Sequence, residues 1–209
     1  MYPLDNIGTC YSVTREEKQK RLQQSSKVIW LTGLPAAGKT TIAVNLEKTL
    51  YENGFITQLL DGDIVRTGIS NNLGFSDKDR YENIRRIAEV SRLFIYSGII
   101  TINSFISPTE VIRRMAKQII GSDDFIEIFV NAPLEICEMR DPKGLYAKAR
   151  RGELKNFTGI HSPFEIPRNA HLEIRTDLFS VQESVQQILN YIIPILEYKG
   201  ESSKLLITQ

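Results

Sequence analysis

The strongest constraint on the chain is the segment Gly33-Leu34-Pro35-Ala36-Ala37-Gly38-Lys39-Thr40, set between the apolar run Val28-Ile29-Trp30-Leu31 and the amphipathic Thr41-Ile42-Ala43-Val44-Asn45-Leu46. Strand, glycine-bounded turn and helix in that order form a loop whose backbone N–H groups, backed by a helix N-terminus, cradle a polyphosphate. Residues 33 to 38 then supply the main-chain cradle and Thr41 opens the helix. Lys39 reaches the β- and γ-phosphates, and Thr40 places its hydroxyl on Mg²⁺. The chain reads as a user of a nucleoside triphosphate. The alternative, an ordinary strand-turn-helix, leaves the spacing unexplained.

At 209 residues the chain has the length of one compact α/β domain. Its formal net charge of +1 argues against general nucleic-acid or membrane-surface binding and points to small-molecule partners. Two cysteines, Cys10 and Cys137, lie far apart and match no metal-ligand spacing. A reducing cytoplasmic setting fits this usage. No apolar run approaches the ~18 residues needed to span a bilayer, and no signal pattern is present at the N-terminus.

Along the chain, residues 1–26 read as a polar leader ending in a surface helix, residues 27–199 as the domain, and residues 200–209 as a tail. Strands are expected at 28–31, 55–60, 99–104, 125–130 and 171–174. The second delivers Asp61-Gly62-Asp63 at its C-terminal end, where ligands bind in open parallel sheets. Ser76 caps a helix whose inner face is expected to hold Tyr81, Ile84, Ala88, Ser91 and Ile95. Ser107-Pro108-Thr109-Glu110 has the spacing of a capping box with proline at the first helical position. Ser180-Val181-Gln182-Glu183 is a second one. The alternation predicts a mostly parallel sheet covered by helices on both faces.

Several constellations could carry chemistry. Asp61 and Asp63 flank a glycine after a strand, so one could orient Mg²⁺ through water while the other holds an acceptor hydroxyl; otherwise they make a polar turn. Arg66, Arg80 and Asn83 suit a phosphate or sulfate, or are solvated helix residues. Phe75 is either a hydrophobic staple or an aromatic face for a base. Ser107 is either a helix cap or a reacting group. Between Arg140 and Lys155 stand six basic and two acidic residues. Within a basic lid over residues 140–167 they would neutralise transferring phosphates and exclude water. Phe157 lies on that lid. His161 and His171 have no partners that would give them chemistry, and Cys137 reads as core.

These blocks, in this order, resemble the adenylyl-sulfate kinases, which transfer the γ-phosphoryl group of ATP to the ribose 3′-hydroxyl of adenosine 5′-phosphosulfate (APS). The resemblance covers roughly residues 28–177. It is carried by residues 33–41, by Asp61-Gly62-Asp63 with Val65-Arg66, and by Leu73-Gly74-Phe75-Ser76 with Asp79-Arg80 and Glu82-Asn83-Ile84-Arg85-Arg86. Ile106-Ser107-Pro108, Arg140-Asp141-Pro142-Lys143-Gly144-Leu145-Tyr146 and Phe157-Thr158-Gly159-Ile160 complete it. The last two blocks are the most specific. The resemblance implies a P-loop kinase fold with a five-stranded parallel sheet, ATP and Mg²⁺ as cofactors, and a homodimer.

It further implies that Lys39, Asp63, Ser107 and Lys143 are catalytic, with Asp63 by the acceptor 3′-hydroxyl. Arg140 would join the loop in holding ATP. Asp61, Arg66, Arg80, Asn83, Ile106, Gly144 and Leu145 would contact the acceptor nucleotide, between rings of Phe75 and Phe157. The family's serine at position 107 is conventionally given as a phosphoserine intermediate. Because capping explains Ser107 without a base to activate it, direct transfer is the preferred reading.

Departures from the family pattern are local. Pro35 and Ala36 replace Ser and Gly, which should stiffen the loop. Ile64 stands where Asn is common, and His161 and Ser162 where acidic residues often follow. The cysteine pair of plant members is not evident, so no redox switch of that kind is expected. Competing readings are a P-loop kinase of another small acceptor and a catalytically degenerate nucleotide-binding subunit.

Overall fold

A computed structural model of the chain describes residues 12–200. The expectations for residues 1–11, including Cys10, and for residues 201–209 lie outside this range. Five parallel strands, β1 (Val28–Thr32), β2 (Thr57–Asp61), β3 (Ile100–Ser104), β4 (Phe125–Asn131) and β5 (Leu172–Arg175), form one sheet in the order β2-β3-β1-β4-β5. The helices are α1 (Arg15–Leu22), α2 (Lys39–Glu52), α3 (Gly62–Val65), α4 (Asp77–Tyr96), α5 (Glu110–Ile120), α6 (Leu134–Arg140), α7 (Leu145–Arg150) and α8 (Val181–Leu196).

Every residue of β1 and β3 is buried, as both faces of a parallel sheet are covered. Successive side chains alternate between faces. Ile29 and Leu31 join Ile102, Ile128 and Val130 under α2 and α8. Val28 and Trp30 join Leu60 and Phe125 under α4 and α5. Trp30 stacks on Phe105 and tilts against Phe125, each at a centroid distance of 5.6 Å. Because β3 and β4 lie on opposite sides of β1, the connections leaving the strand ends diverge there, and a crevice opens along the C-terminal edge. The phosphate loop, Asp61, Ser104 and Arg175 all sit on that edge.

Two expected details are corrected. Tyr81 is exposed, and Ile87 takes its place on the inner face of α4 with Asn83, Ile84, Ala88, Ser91 and Ile95. The first two turns of α4 border the crevice, with Arg80, Asn83 and Ile84 among its lining, so Tyr81 has no sheet to cover. Ser107 does not cap α5. Thr109 does, with its hydroxyl accepting from the Ile112 N–H, and Pro108 therefore precedes the cap. Ser107 is engaged elsewhere: its Oγ accepts from Trp30 Nε1 at 3.0 Å and its carbonyl from Arg113 Nη1 at 2.9 Å.

The surface helix of the leader is α1, with a Thr14–Glu17 capping box and no buried residue. It is fastened to the opposite edge of the sheet. Arg15 forms a bidentate pair with Asp124, and buried Gln24 donates to the carbonyls of Ile56 and Gly98. Within the basic segment only α7 is helical, entered through Gly144 at φ 64°. Loss of a threonine N-cap costs about 1 kcal/mol. Thr109→Ala should therefore lower the melting temperature by about 2–4 °C; unchanged melting would contradict the assignment of the cap.

Candidate active site

The crevice is a single cleft of about 870 Å³. On one side stands the phosphate loop. Gly33 is required by close approach, since a Cβ there would lie 2.2 Å from the Val130 carbonyl oxygen. Ala36 holds φ 58°, a left-handed conformation that glycine adopts freely and alanine does not. The Lys39 ammonium folds across its own loop and donates to the carbonyls of Gly33 (2.9 Å) and Leu34 (2.7 Å). Burial lowers its pKa to about 8.

Asp61 links the loop to the next strand end. Its Oδ2 accepts from Thr40 Oγ1 at 2.7 Å, and its Oδ1 accepts from the Asp63 N–H at 2.9 Å. Ser104 Oγ lies 3.4 Å from the Thr40 hydroxyl. Further along the edge, the Arg140 guanidinium donates to Thr176 Oγ1 (3.1 Å) and O (2.6 Å). Thr176 Oγ1 in turn donates to the Ala37 carbonyl at 2.7 Å.

The other side is built from the segment after β2, the start of α4 and the basic segment. Asp63 is exposed to the cleft and ion-paired with Lys143. Arg66 lies over the Phe75 ring at 4.4 Å and donates to the carbonyls of Leu73 and Gly74. Arg80 donates to the Phe75 and Asn156 carbonyls and to Thr158 Oγ1. Partial burial lowers both guanidinium pKa values from their usual level. Asn83 is only 4% exposed and its Oδ1 has no hydrogen-bond partner, an unsatisfied acceptor on the cleft wall. Phe157 meets the ring of buried Tyr146 edge-on, with centroids 4.9 Å apart. The Tyr146 hydroxyl donates to the Pro35 carbonyl at 3.0 Å, so the basic segment is bonded to the phosphate loop.

Of the residues singled out from sequence, Pro35, Ala36, Gly38, Lys39, Thr40, Thr41, Asp61 and Asp63 line one cleft together with Arg66, Phe75, Arg80, Asn83, Ile106, Ser107, Arg140, Lys143, Leu145 and Phe157. Phe75, 63% exposed, is not a hydrophobic staple, because Arg80 occupies the position it would pack on. Leu34 lines a separate cavity of about 470 Å³ beside Gly159 and Leu134. Gly33, Ala37 and Gly144 lie outside the cleft wall. Residues that the sequence reading passed over are Thr176, Trp30 and Arg113. Thr176 had a signal, its place just after a strand; the others had none.

The cleft combines a main-chain cradle, a lysine, a hydroxyl–carboxylate pair and a second carboxylate among cations and aromatic rings, a set suited to phosphoryl transfer. A family model described as adenylylsulphate kinase matches residues 25–175. The chain belongs to that family. An adenylyl-sulfate kinase of Bacteroides thetaiotaomicron is 57% identical over 187 residues, 90% of this chain and 93% of the relative. Among solved structures, the Mycobacterium tuberculosis APS kinase in complex with AMPPNP and APS is 41% identical, with a TM-score of 0.78 over 81% of this chain and 98% of that one. A hexameric APS kinase from Thiobacillus denitrificans is 31% identical, with a TM-score of 0.62 over 83% of this chain and 30% of its own length.

Membership of this kinase family makes Lys39 testable by proton linkage. With its pKa at about 8, the free side chain is largely neutral at pH 9, and a neighbouring polyphosphate favours the ammonium. ATP binding at pH 9 should therefore take up a proton, and its affinity should fall as the pH rises through 8. Calorimetry in two buffers of different ionisation enthalpy should show the uptake in the wild type and not in Lys39→Met. Equal heats in both buffers would contradict it.

Proposed function

We infer that the chain is an adenylyl-sulfate kinase: it transfers the γ-phosphoryl group of ATP to the ribose 3′-hydroxyl of APS, giving ADP and 3′-phosphoadenylyl sulfate, a step of sulfate activation. The observation that carries this reading is the Asp61 carboxylate, which bonds the phosphate loop through Thr40 and the acceptor-side turn through Asp63. Donor and acceptor groups thus face one another across one cleft, with Asp61 bonded to both sides.

In this reading the loop amides and Lys39 hold the triphosphate, and Arg140, fixed on Thr176, flanks the donor base. The Lys39 ammonium exchanges two carbonyls for phosphate oxygens. Asp63 exchanges Lys143 for the acceptor hydroxyl and orients it in line. Lys143 is then free to neutralise the transferring group. Phe75 and Phe157 take the acceptor base between them, Asn83 Oδ1 gains a donor from it, and Arg66 and Arg80 border its sulfated end. Ile106, Ser107 and Leu145 complete that pocket, and Gly144 gives the lid its turn.

The oxygen donors fit Mg²⁺. Thr40 Oγ1 would bind it directly and Asp61 through water, a sparse set typical of an ion that is otherwise held by phosphates and water. Bound there, the ion would neutralise charge between the β- and γ-phosphates. We also propose that the protein acts in the cytoplasm as a homodimer. No helix among the described residues is long and apolar enough to cross a membrane.

ADP release should follow addition of APS and not of shikimate, gluconate or nucleoside monophosphates; equal rates with another acceptor would overturn the assignment. Lys39→Ala should lose more than about 10²-fold in rate, read from the same assay. Phe157→Ala should raise the KM for APS about tenfold or more while changing that for ATP by less than about twofold. Equal losses for both substrates would remove Phe157 from the acceptor site.

A further inference from the structure

Ser107 is held by more groups than a helix-entry residue needs. It is non-glycine yet sits at φ 44°, a strained conformation that persists only where the surroundings enforce it. Those surroundings are on both sides of the residue. Thr32 Oγ1 donates to the Ile106 carbonyl at 2.7 Å. Arg113, buried and with Nε 3.0 Å from Glu127 Oε1, donates to the Ser107 carbonyl. Within the core, the Trp30 indole N–H donates to Ser107 Oγ, and this is the one side-chain hydrogen bond that the oxygen makes among the described residues.

An indole N–H is a donor only, so it fixes which way the serine hydroxyl can work. With Trp30 on an oxygen lone pair, the Ser107 proton is left for a partner outside the core, and Ser107 lines the cleft. Accepting one hydrogen bond also polarises the O–H and makes it a better donor. The same bond withdraws density from the oxygen. No carboxylate or imidazole among the described residues is hydrogen-bonded to Oγ to take its proton, as an attacking hydroxyl would require.

We propose that Trp30 is a positioning residue for phosphoryl transfer: its N–H orients Ser107 as a fixed hydrogen-bond donor to the acceptor nucleotide and keeps it from acting as a nucleophile. The proposal rests on the adenylyl-sulfate kinase reading. It assigns a role within the reaction to a residue that packing alone would place in the core. The Trp30 ring carries the packing, and its nitrogen carries the function.

The test separates these two parts of the side chain. Replacement of Trp30 by 3-benzothienylalanine keeps the bicyclic shape and deletes the N–H; Trp30→Phe is the genetically encoded counterpart. Each should change kcat/KM for APS by about threefold to tenfold, the range for one lost hydrogen bond, with the KM for ATP unchanged. In a Ser107→Ala background neither replacement should have any further effect on APS turnover. A purely structural Trp30 would instead lower both substrates' parameters together, in either background. That result would overturn the proposal, as would an isostere variant indistinguishable from wild type. Acid-quenched wild-type enzyme incubated with γ-labelled ATP and APS should carry no phosphoserine at position 107; labelled Ser107 formed at the rate of turnover would contradict it. Wild-type protein inactive on APS would refute the functional reading itself, a different outcome from any of these.

Discussion

The rest of the site depends on one buried carboxylate. Asp61 ends β2 and is nearly inaccessible, yet both of its oxygens are used, one by the Thr40 hydroxyl and one by the Asp63 amide. The first bond ties it to the N-terminal turn of α2, and the second fixes the turn that presents Asp63. A phosphate-binding loop alone holds a nucleotide and does nothing further. An acceptor carboxylate becomes useful only when it is placed within an ångström or so of in-line geometry, and a shared hydrogen-bonded group does this without relying on a flexible loop. The sheet supports the arrangement because β1, β2 and β3 end at the same level, with Asp61 opposite Ser104 in register.

Around this rigid link the site carries local strain and provisional contacts. Ala36 and Ser107, which both line the cleft, hold left-handed conformations. Lys39 rests on loop carbonyls and Lys143 on Asp63, so each cation is paired within the cleft. Tyr146 connects the two halves: its hydroxyl is bonded to the phosphate loop and its ring supports Phe157. Such pairing limits the desolvation cost of a cleft rich in charge.

What was legible in the sequence follows from which signals are local. The phosphate loop, the five strands and the Ser76 and Ser180 caps depend on neighbouring residues, and the structure places them as expected, with ends shifted by one or two residues. The cap on α5 was misread because Ser107 has a glutamate three residues on, the capping-box spacing, whereas Thr109, the residue that does cap, has Ile112 there. The choice between them is made by Trp30 and Arg113, which are distant in sequence. Tyr81 was misplaced because helical periodicity does not show where the sheet beneath a helix ends. The roles of Arg66 and Arg80 as supports for Phe75 and the basic segment depend on carbonyls that no pattern of side chains announces. Family resemblance supplied the acceptor, which spacing alone left open among small molecules.

Asp61 is the group that couples the phosphate loop to the turn bearing Asp63. Its most direct test is the Asp61→Asn variant, in which the amide can no longer accept from both Thr40 and Asp63 in the same way. Rapid-quench turnover should fall by about 10²-fold or more, while the separately measured dissociation constants of ATP and APS change by less than about fivefold. Unaltered turnover, or a loss confined to the affinity for one substrate, would contradict it.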